Sequence, residues 1–281
     1  DVAIEDILAV FNQSFSDYYI QFELTKEQLV SKMLADKTDL SLSVGVFDDN
    51  ELIAFILHGF DTIENKCVVY NSGTGVLSEK RGSGLTKQMY QFILPILKEK
   101  GINKLVLEVI DKNIQAIKSY KKSGFKIKRE LLCYKGKIEV SKTNNTVSIK
   151  RLNNYNIKLM ESFWDVNPTW QNSMNTIVLL KDNNVSLGAF IKNELVGYTF
   201  FNPKSKRIQQ IAICKNHRRL GIASTLLSAL INKYGNTLSI INVDKSSKGI
   251  NAFFKSVKFD NNLVQFEMEL QLGKNLTTHY S

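Results

Sequence analysis

Cysteine and histidine are the first things this sequence is short of. Three cysteines (Cys67, Cys133, Cys214) and three histidines (His58, His217, His279) are scattered through 281 residues. They have neither the pairing of a disulfide framework nor the clustered spacing of a metal site, so no metal is expected, and a reducing compartment is. No apolar run approaches the roughly 20 residues that cross a bilayer. The opening residues, Asp1-Val2-Ala3-Ile4-Glu5, lack the basic region and cleavage site of a secretory leader, which makes a cytoplasmic protein with no membrane partner the expectation. The formal charge is +10, yet the lysines are spread over both halves. The densest cluster, Lys121, Lys122, Lys126, Lys128 and Arg129, has no interleaved aromatics on which bases could stack. Nucleic acid is therefore not the expected partner; an anionic cofactor or a solvated surface accounts for the charge with fewer assumptions.

What is present is ordinary globular composition, 43% hydrophobic and 23% charged, at a length that suits two domains of common size. Helical spacing of apolar residues runs over 4–15 and 25–34, with Thr25 and Gln28 placed as a capping box. Between them lie the loop aromatics Tyr18-Tyr19-Ile20-Gln21-Phe22. Strands are expected over 40–47 and 52–60, joined as a hairpin through Asp48-Asp49-Asn50, and over 67–77, where Gly73-Thr74-Gly75 mark a bulge or a close backbone approach. A helix follows over 85–100, with Pro95 expected to kink it. A strand over 104–110, a helix over 113–123 and strands over 125–132 and 137–140 complete the half. Strand, loop, helix and strand in this order make a crossover with a parallel pair at its centre.

The stretch joining the third strand to the long helix has the character of an anion cradle. Val76 and Leu77 end the strand, and Arg81, Gly82, Ser83, Gly84, Leu85 and Thr86 lead into the helix. Gly82 and Gly84 allow turn conformations in which successive N–H groups converge beside the positive end of a helix. No Gly-Lys-Ser/Thr follows at the spacing of a nucleotide-binding P-loop, which argues against ATP chemistry.

After the polar stretch 141–146, the order of elements repeats. Ser43-Val-Gly45-Val-Phe47 and Asn50-Glu51-Leu52-Ile53 reappear as Ser186-Leu-Gly188-Ala-Phe190 and Asn193-Glu194-Leu195-Val196; Arg81-x-x-Gly84 reappears as Arg218-x-x-Gly221; Phe125 answers to Phe259. The shift shrinks along the chain, so the second copy has shorter connections. Two domains of one fold follow.

With these motifs the sequence resembles the GNAT superfamily of acetyl-CoA-dependent N-acetyltransferases, in its tandem two-domain bacterial form, over nearly the whole chain. The family's pyrophosphate loop, Gln or Arg, two residues, Gly, one residue, Gly or Ala, is matched by 81–86, with Thr86 at the small-residue position, and by Arg218, Arg219, Leu220, Gly221, Ile222 and Ala223. The family's downstream pattern is matched by Asn113, Ala116, Tyr120, Gly124 and Phe125. The resemblance implies an α/β fold, an α+β mixed sheet in two tandem GNAT-like domains over 1–140 and 147–281. It also implies acetyl-CoA as cosubstrate and a small-molecule or peptide amine as acceptor. Val76, Leu77, the 81–86 loop and Asn113 would hold the cofactor, and Tyr120 would protonate the departing thiolate. Glu108 is either the base, acting directly or through water, or a partly exposed strand carboxylate without chemistry. No Cys or Ser has an activating partner, so direct attack is expected rather than an acyl-enzyme.

At a shift of 134 residues, Glu108 maps to Asn242, Asn113 to Ser247, Tyr120 to Phe254 and Gly124 to Lys258. Asn242 cannot take a proton at neutral pH, and Phe254 cannot give one. Chemistry is therefore expected in the first domain, and the second, with Arg218, Arg219, Gly221, Ile222 and Ala223 as a possible second CoA site, is expected to be degenerate. Trp164, Trp170, Gln171 and Asn172 fall where acceptor pockets of this family are built, with core packing as the simpler role. Two other readings stay open: a CoA-binding sensor without turnover, and an aminoacyl-tRNA-dependent transferase of the same fold. The acceptor's identity and the oligomeric state are not legible at this level.

Overall fold

The computed structural model describes residues 2–19 and 23–273. Ile20, Gln21 and Phe22 of the aromatic loop, and His279, lie outside the described residues. In chain order the elements are α1 (Ile4–Phe15), α2 (Lys26–Ala35), β1 (Val44–Asp48), β2 (Glu51–Ile63), β3 (Lys66–Val76), α3 (Leu85–Glu99), β4 (Lys104–Ile110), α4 (Ile114–Lys122), β5 (Lys126–Lys137), β6 (Ser148–Arg151), α5 (Ile157–Glu161), α6 (Met174–Leu179), β7 (Val185–Ile191), β8 (Glu194–Asn202), β9 (Arg207–Ile213), α7 (Ile222–Tyr234), β10 (Thr237–Asp244), α8 (Lys248–Ser256) and β11 (Asn261–Gln271). No described helix is long and apolar enough to cross a membrane.

The chain divides into two compact units. Unit 1 is Asp1–Lys128 with Phe266–Ser281, and unit 2 is Arg129–Gln265. This division differs from that of the sequence copies at 141–146. The end of β11, from the second copy, belongs to unit 1, where Met268 is fully buried and Phe266 and Leu270 pack on the core. The end of β5, from the first copy, belongs to unit 2, where 131–137 pair with β10. The alternation of Phe266, Met268 and Leu270 with polar residues and the apolar run Leu131 to Tyr134 suit either core, so sequence order alone could not assign them.

In unit 1 the strands run β1-β2-β3-β4, with the last part of β11 beside β4. Asp49 and Asn50, at φ 45° and 70°, give the two-residue turn that suits the twist of the β1–β2 hairpin. α3 lays Met89, Tyr90, Ile93 and Leu97 on one face of the sheet, and α1 lays Ile7, Val10 and Phe11 on Phe55 and Leu57 of β2. Each such side chain contributes about 1.5–3 kcal/mol by leaving water. Thr25 and Gln28 form the expected capping box at α2. Pro95 lies inside α3.

Two strands differ from expectation. Residues 40–42 coil into a short 3-10 turn, capped by Asp39 accepting from Ser41 N, and the strand starts only at Val44. Residues 126–137 form one strand rather than two, because pairing with β10 resumes past an irregularity between Ile240 and Val243 and continues to Lys137.

The bulge in β3 falls at Ser72, just before the glycines: Leu57 faces Gly73 while His58 faces Asn71. Gly75 answers to the close approach, since a Cβ there would stand 2.6 Å from the Phe55 ring. β3 and β4 pair in parallel only through Val68, Val69 and Tyr70. Beyond Tyr70 the two strands part, although both continue, and the gap opens toward the glycine loop.

Unit 2 repeats the plan with order β5-β10-β9-β8-β7-β6. β9 is bulged at Gln209, since Phe200 faces Gln210 and Phe201 faces Ile208. β9 and β10 pair only at Arg207 and Ile208, so the same opening recurs.

Candidate active site

In unit 1 the loop after β3 hinges on β2, where Leu77 N donates to Ile53 O at 3.1 Å. Gly82 and Gly84 sit at φ +81° and +83°, and a Cβ on either would meet nothing within 4 Å. Glycine is therefore required here by backbone conformation, not by crowding, and the space before the loop is open. Leu85 and Thr86 open α3, so their N–H groups have no acceptor inside the helix and stand at its positive end. Ser83 Oγ donates to Lys80 O at 2.5 Å and tightens the turn.

The Arg81 side chain turns away from the space the loop encloses. Its guanidinium donates to both oxygens of Asp17 at 2.6 and 2.9 Å, to Ser14 O at 2.8 Å and, through Nε, to Val76 O at 3.3 Å. It clamps the loop to the end of α1, which leaves an anion to the backbone N–H groups. Unit 2 repeats the clamp: Arg218 donates to both oxygens of Asp165 at 3.1 and 2.9 Å, to Phe163 O at 2.8 Å and to Ile213 O at 3.3 Å. The acidic partners escaped the sequence reading, although Phe15-x-Asp17 and Phe163-x-Asp165 are a repeated signal.

Tyr120 projects from α4 into the core beside the opening and is 8% exposed. Its hydroxyl is hydrogen-bonded to Thr74 and Asn71. Asn71 Nδ2 also reaches Thr74 Oγ1 and Tyr90 Oη, both at 2.7 Å, while its Oδ1 accepts from Gly73 N at 3.0 Å. The rings of Tyr90 and Phe125 pack edge-on against Tyr120, at 6.2 and 5.9 Å. Burial pushes the Tyr120 phenol up to about 12, against the partial relief of its hydrogen bonds. It is a proton donor across the neutral range. Asn71, Thr74 and Tyr90 were not singled out from sequence; β3 and α3 bring them together.

Glu108 lies on β4, two residues beyond the last β3 partner, and its Oε2 accepts from Tyr70 Oη at 2.5 Å. Asn113 is the N-cap of α4: Oδ1 accepts from Ala116 N at 3.1 Å and Nδ2 donates to Tyr18 Oη at 3.4 Å. Tyr19 Oη donates to Lys112 O at 2.9 Å. The strand end at Val76 and Leu77, the 81–86 loop, Glu108, Asn113 and Tyr120 thus all flank the one opening between β3 and β4.

In unit 2, Phe254 takes the place of Tyr120. It is fully buried and packs edge-on against Phe259 at 5.5 Å, as Tyr120 does against Phe125. Ser247 caps α8. Asn242 Oδ1 accepts from Gln265 Nε2 at 2.9 Å. Arg219 and Gly221 keep left-handed backbones at φ 62° and 76°. Beside this loop, between 209–213 of β9 and 240–244 of β10, lies a cavity of 710 Å³. Trp164 and Asn172 line it, whereas Trp170 is 4% exposed in the core. Among the described residues, no group of three or more His, Cys, Asp or Glu is placed to hold a metal ion.

The chain is similar in structure to a GCN5-related N-acetyltransferase from Sphaerobacter thermophilus, with a TM-score of 0.72 at 13% identity over 95% of this chain and 92% of that one. It is similar to a tandem GNAT protein from the clavulanic acid biosynthesis pathway, with a TM-score of 0.71 at 9% identity over 96% and 95%. A putative acetyltransferase from Pyrococcus horikoshii gives a TM-score of 0.68 at 14% identity over 95% and 85%. These likenesses show the fold. No curated protein matches the chain by sequence. The acetyltransferase (GNAT) family profile matches twice, over 5–125 and 150–259, each match spanning one glycine loop and its opening. This protein therefore belongs to the GNAT acetyltransferase family and carries the family's fold in two tandem copies.

Proposed function

We propose that unit 1 transfers an acetyl group from acetyl-CoA to a primary amine by direct attack, and that Tyr120 is its acid. The observation that supports this reading most is the phenol itself: buried, protonated and fixed by Asn71 and Thr74 beside an open glycine loop, where unit 2 has Phe254. The residues present suit the cosubstrate. The left-handed glycines and the first turn of α3 offer N–H groups to a pyrophosphate, and main-chain groups of β3 beyond Tyr70, freed from β4, suit an extended amide arm. Bound there, the cosubstrate supplies the activated acetyl group.

The chain's own residues then do three things. N–H groups of β3 at the opening polarise the thioester carbonyl. Glu108, directly or through water, takes a proton from the attacking amine; Tyr70 holds the carboxylate in place. As the amine nitrogen bonds to the carbonyl carbon and the carbon–sulfur bond breaks, Tyr120 Oη gives its proton to sulfur. The products are the amide and CoA thiol. The acceptor class is a small-molecule or peptide amine. Cys67, Cys133 and Cys214 are thiols rather than disulfides, which suits the reducing bacterial cytoplasm expected from the sequence.

Thiol release from acetyl-CoA, measured across amino acids, polyamines, aminoglycosides and peptides, identifies the acceptor. With that acceptor, Tyr120→Phe lowers kcat about 10²–10⁴-fold with little change in the KM for acetyl-CoA. An unchanged kcat removes Tyr120 from the chemistry and the assignment of catalysis to unit 1 with it.

A further inference from the structure

Lys32 and Asp36 sit at the end of α2 in an arrangement that the helix itself does not favour. Asp36 is the C-cap residue and is 2% exposed. A carboxylate there meets the negative end of the helix dipole, and a cation four residues before an anion is the weaker order for a helical ion pair. Lys32 Nζ donates to Asp36 Oδ2, with the two side chains 21% and 3% exposed. Taking such a pair out of water is itself costly, so helix stability does not account for it.

A third partner does. Lys32 Nζ also donates to Ser72 O at 2.7 Å, across 40 residues of chain. Ser72 is the bulge residue of β3: it stands between Asn71, opposite His58, and Gly73, opposite Leu57, and itself faces no residue of β2. The pairing of β3 with β4 has already ended at Tyr70. The main chain of a bulged residue is set outside the regular ladder, and here a lysine aimed by a buried carboxylate holds it. Thr38, two residues beyond Asp36, places Oγ1 3.4 Å from Ser72 Oγ, which donates to Leu57 O at 3.4 Å.

The bulge decides where the neighbouring side chains point. Three residues apart, Asn71 and Thr74 would face opposite sides of a regular strand. The extra residue puts them on one side, where Asn71 Nδ2 donates to Thr74 Oγ1 at 2.7 Å and both bond the Tyr120 hydroxyl. In unit 2, β9 has its own bulge at Gln209, but Phe254 stands for Tyr120, and the helix before the hairpin, α6, contains no ionisable residue. The lysine and its carboxylate therefore accompany the phenol, not the bulge as such. We propose that Lys32, aimed by Asp36, is a positioning residue for the acetyl transfer: by holding the Ser72 carbonyl it fixes the bulge that presents Asn71 and Thr74 to Tyr120. Its effect on rate rests on the reading of Tyr120 as the acid; its grip on the partners of the phenol does not.

The full chain is prepared with tyrosine carrying carbon-13 at Cζ, and the Tyr120 resonance is assigned as the one lost in Tyr120→Phe. Removing Lys32 alone would strand the Asp36 carboxylate in the core. The test variant is therefore Lys32→Met combined with Asp36→Asn, and Lys32→Arg, which keeps a cation and N–H donors, is the conservative one. In the double variant the Tyr120 resonance moves, kcat with the acceptor found by thiol release falls about 10–100-fold, and the KM for acetyl-CoA stays within about twofold. Lys32→Arg returns the resonance and recovers most of kcat. A loss of stability alone would reduce the fraction of folded chain but leave the resonance of that fraction in place. The proposal is overturned if the Tyr120 resonance does not move in the double variant, or if the double variant keeps the kcat that Tyr120→Phe loses. A Tyr120→Phe chain that turns over normally refutes the assignment of the acid instead, and the resonance then decides the grip by itself.

Discussion

Acidification should destabilise unit 1 through His58. This ring is fully buried on β2; Nδ1 lies 2.7 Å from Leu42 O, and Nε2 has no partner. Nδ1 must therefore carry the proton of the neutral ring, and a second proton would place a charge on Nε2 with nothing to receive it. Burial lowers the pKa from 6.5 to about 4, against the smaller pull of the Leu42 carbonyl. The sign follows directly. Between pH 6.5 and 4 the unfolded chain binds a proton at this site and the folded chain does not, so stability is complete above pH 6.5 and falls as pH drops toward 4. The gap amounts to about 3 kcal/mol, a large share of the 5–15 kcal/mol typical of a domain. The copy in unit 2 suggests the control: the register places fully buried Phe201 where unit 1 has His58. His58→Phe leaves the Leu42 carbonyl unpaired and costs about 1–3 kcal/mol at pH 7.5, but its stability should be flatter with pH. Urea unfolding at several pH values, read by circular dichroism together with hydrogen exchange of β2 peptides, measures both. Curves for parent and variant that fall in parallel from pH 6.5 to 4 would refute the reasoning.

The end of β11 should be required by unit 1. Met268→Ala, at a fully buried position, is expected to cost about 2–5 kcal/mol and to expose β4 to hydrogen exchange before β8; the reverse order would place Met268 in the wrong unit. A chain stopped at residue 146 should lack a cooperative unfolding transition for the same reason. The Arg81–Asp17 clamp is partly exposed, at 35% and 56% of the side chains, so Asp17→Ala should leave stability nearly unchanged while raising the KM for acetyl-CoA. An unchanged KM would mean that the loop holds its form without α1.

What could be read in advance was whatever depends on local backbone demands. The capping box at Thr25, the turn at Asp49-Asn50, the left-handed glycines at 82 and 84 and the amphipathic stripe of α3 each follow from residues within one turn of one another. What could not be read depends on distance through space. Asn71, Thr74 and Tyr90 meet Tyr120 only because a bulge at Ser72 shifts β3 by one residue, and nothing in the side chain of Ser72 announces a bulge. The end of β11 alternates apolar and polar residues in a way that either core would accept, so its place in unit 1 is decided by packing. Arg81 was legible as part of a loop motif, but its partner Asp17 stands 64 residues away.

Comparing the two copies position by position separates what the fold needs from what chemistry needs. Arg81 and Arg218 make the same set of bonds, to a carboxylate, to a carbonyl at the end of a helical segment and to the last residue of a strand. Gly84 and Gly221 keep the same left-handed turn. Where unit 2 has given up glycine, it has still kept the geometry: Arg219 stands at φ 62° where Gly82 stands at 81°, and Lys258 at φ 55° where Gly124 stands at 99°. Holding a side chain in that region costs on the order of 1 kcal/mol, so the backbone path is maintained against a cost. The groups able to move protons have instead been exchanged for groups that cannot, Tyr120 for Phe254 and Glu108 for Asn242. A unit retained only as packing for its neighbour would have no need of a strained loop or of a 710 Å³ opening between its strands. Unit 2 keeps both, and it has placed Gln209 at the bulge where unit 1 has Ser72. On the proposed reading that unit 1 catalyses, unit 2 keeps the backbone path of the shared fold and lacks the side chains that the reaction would use.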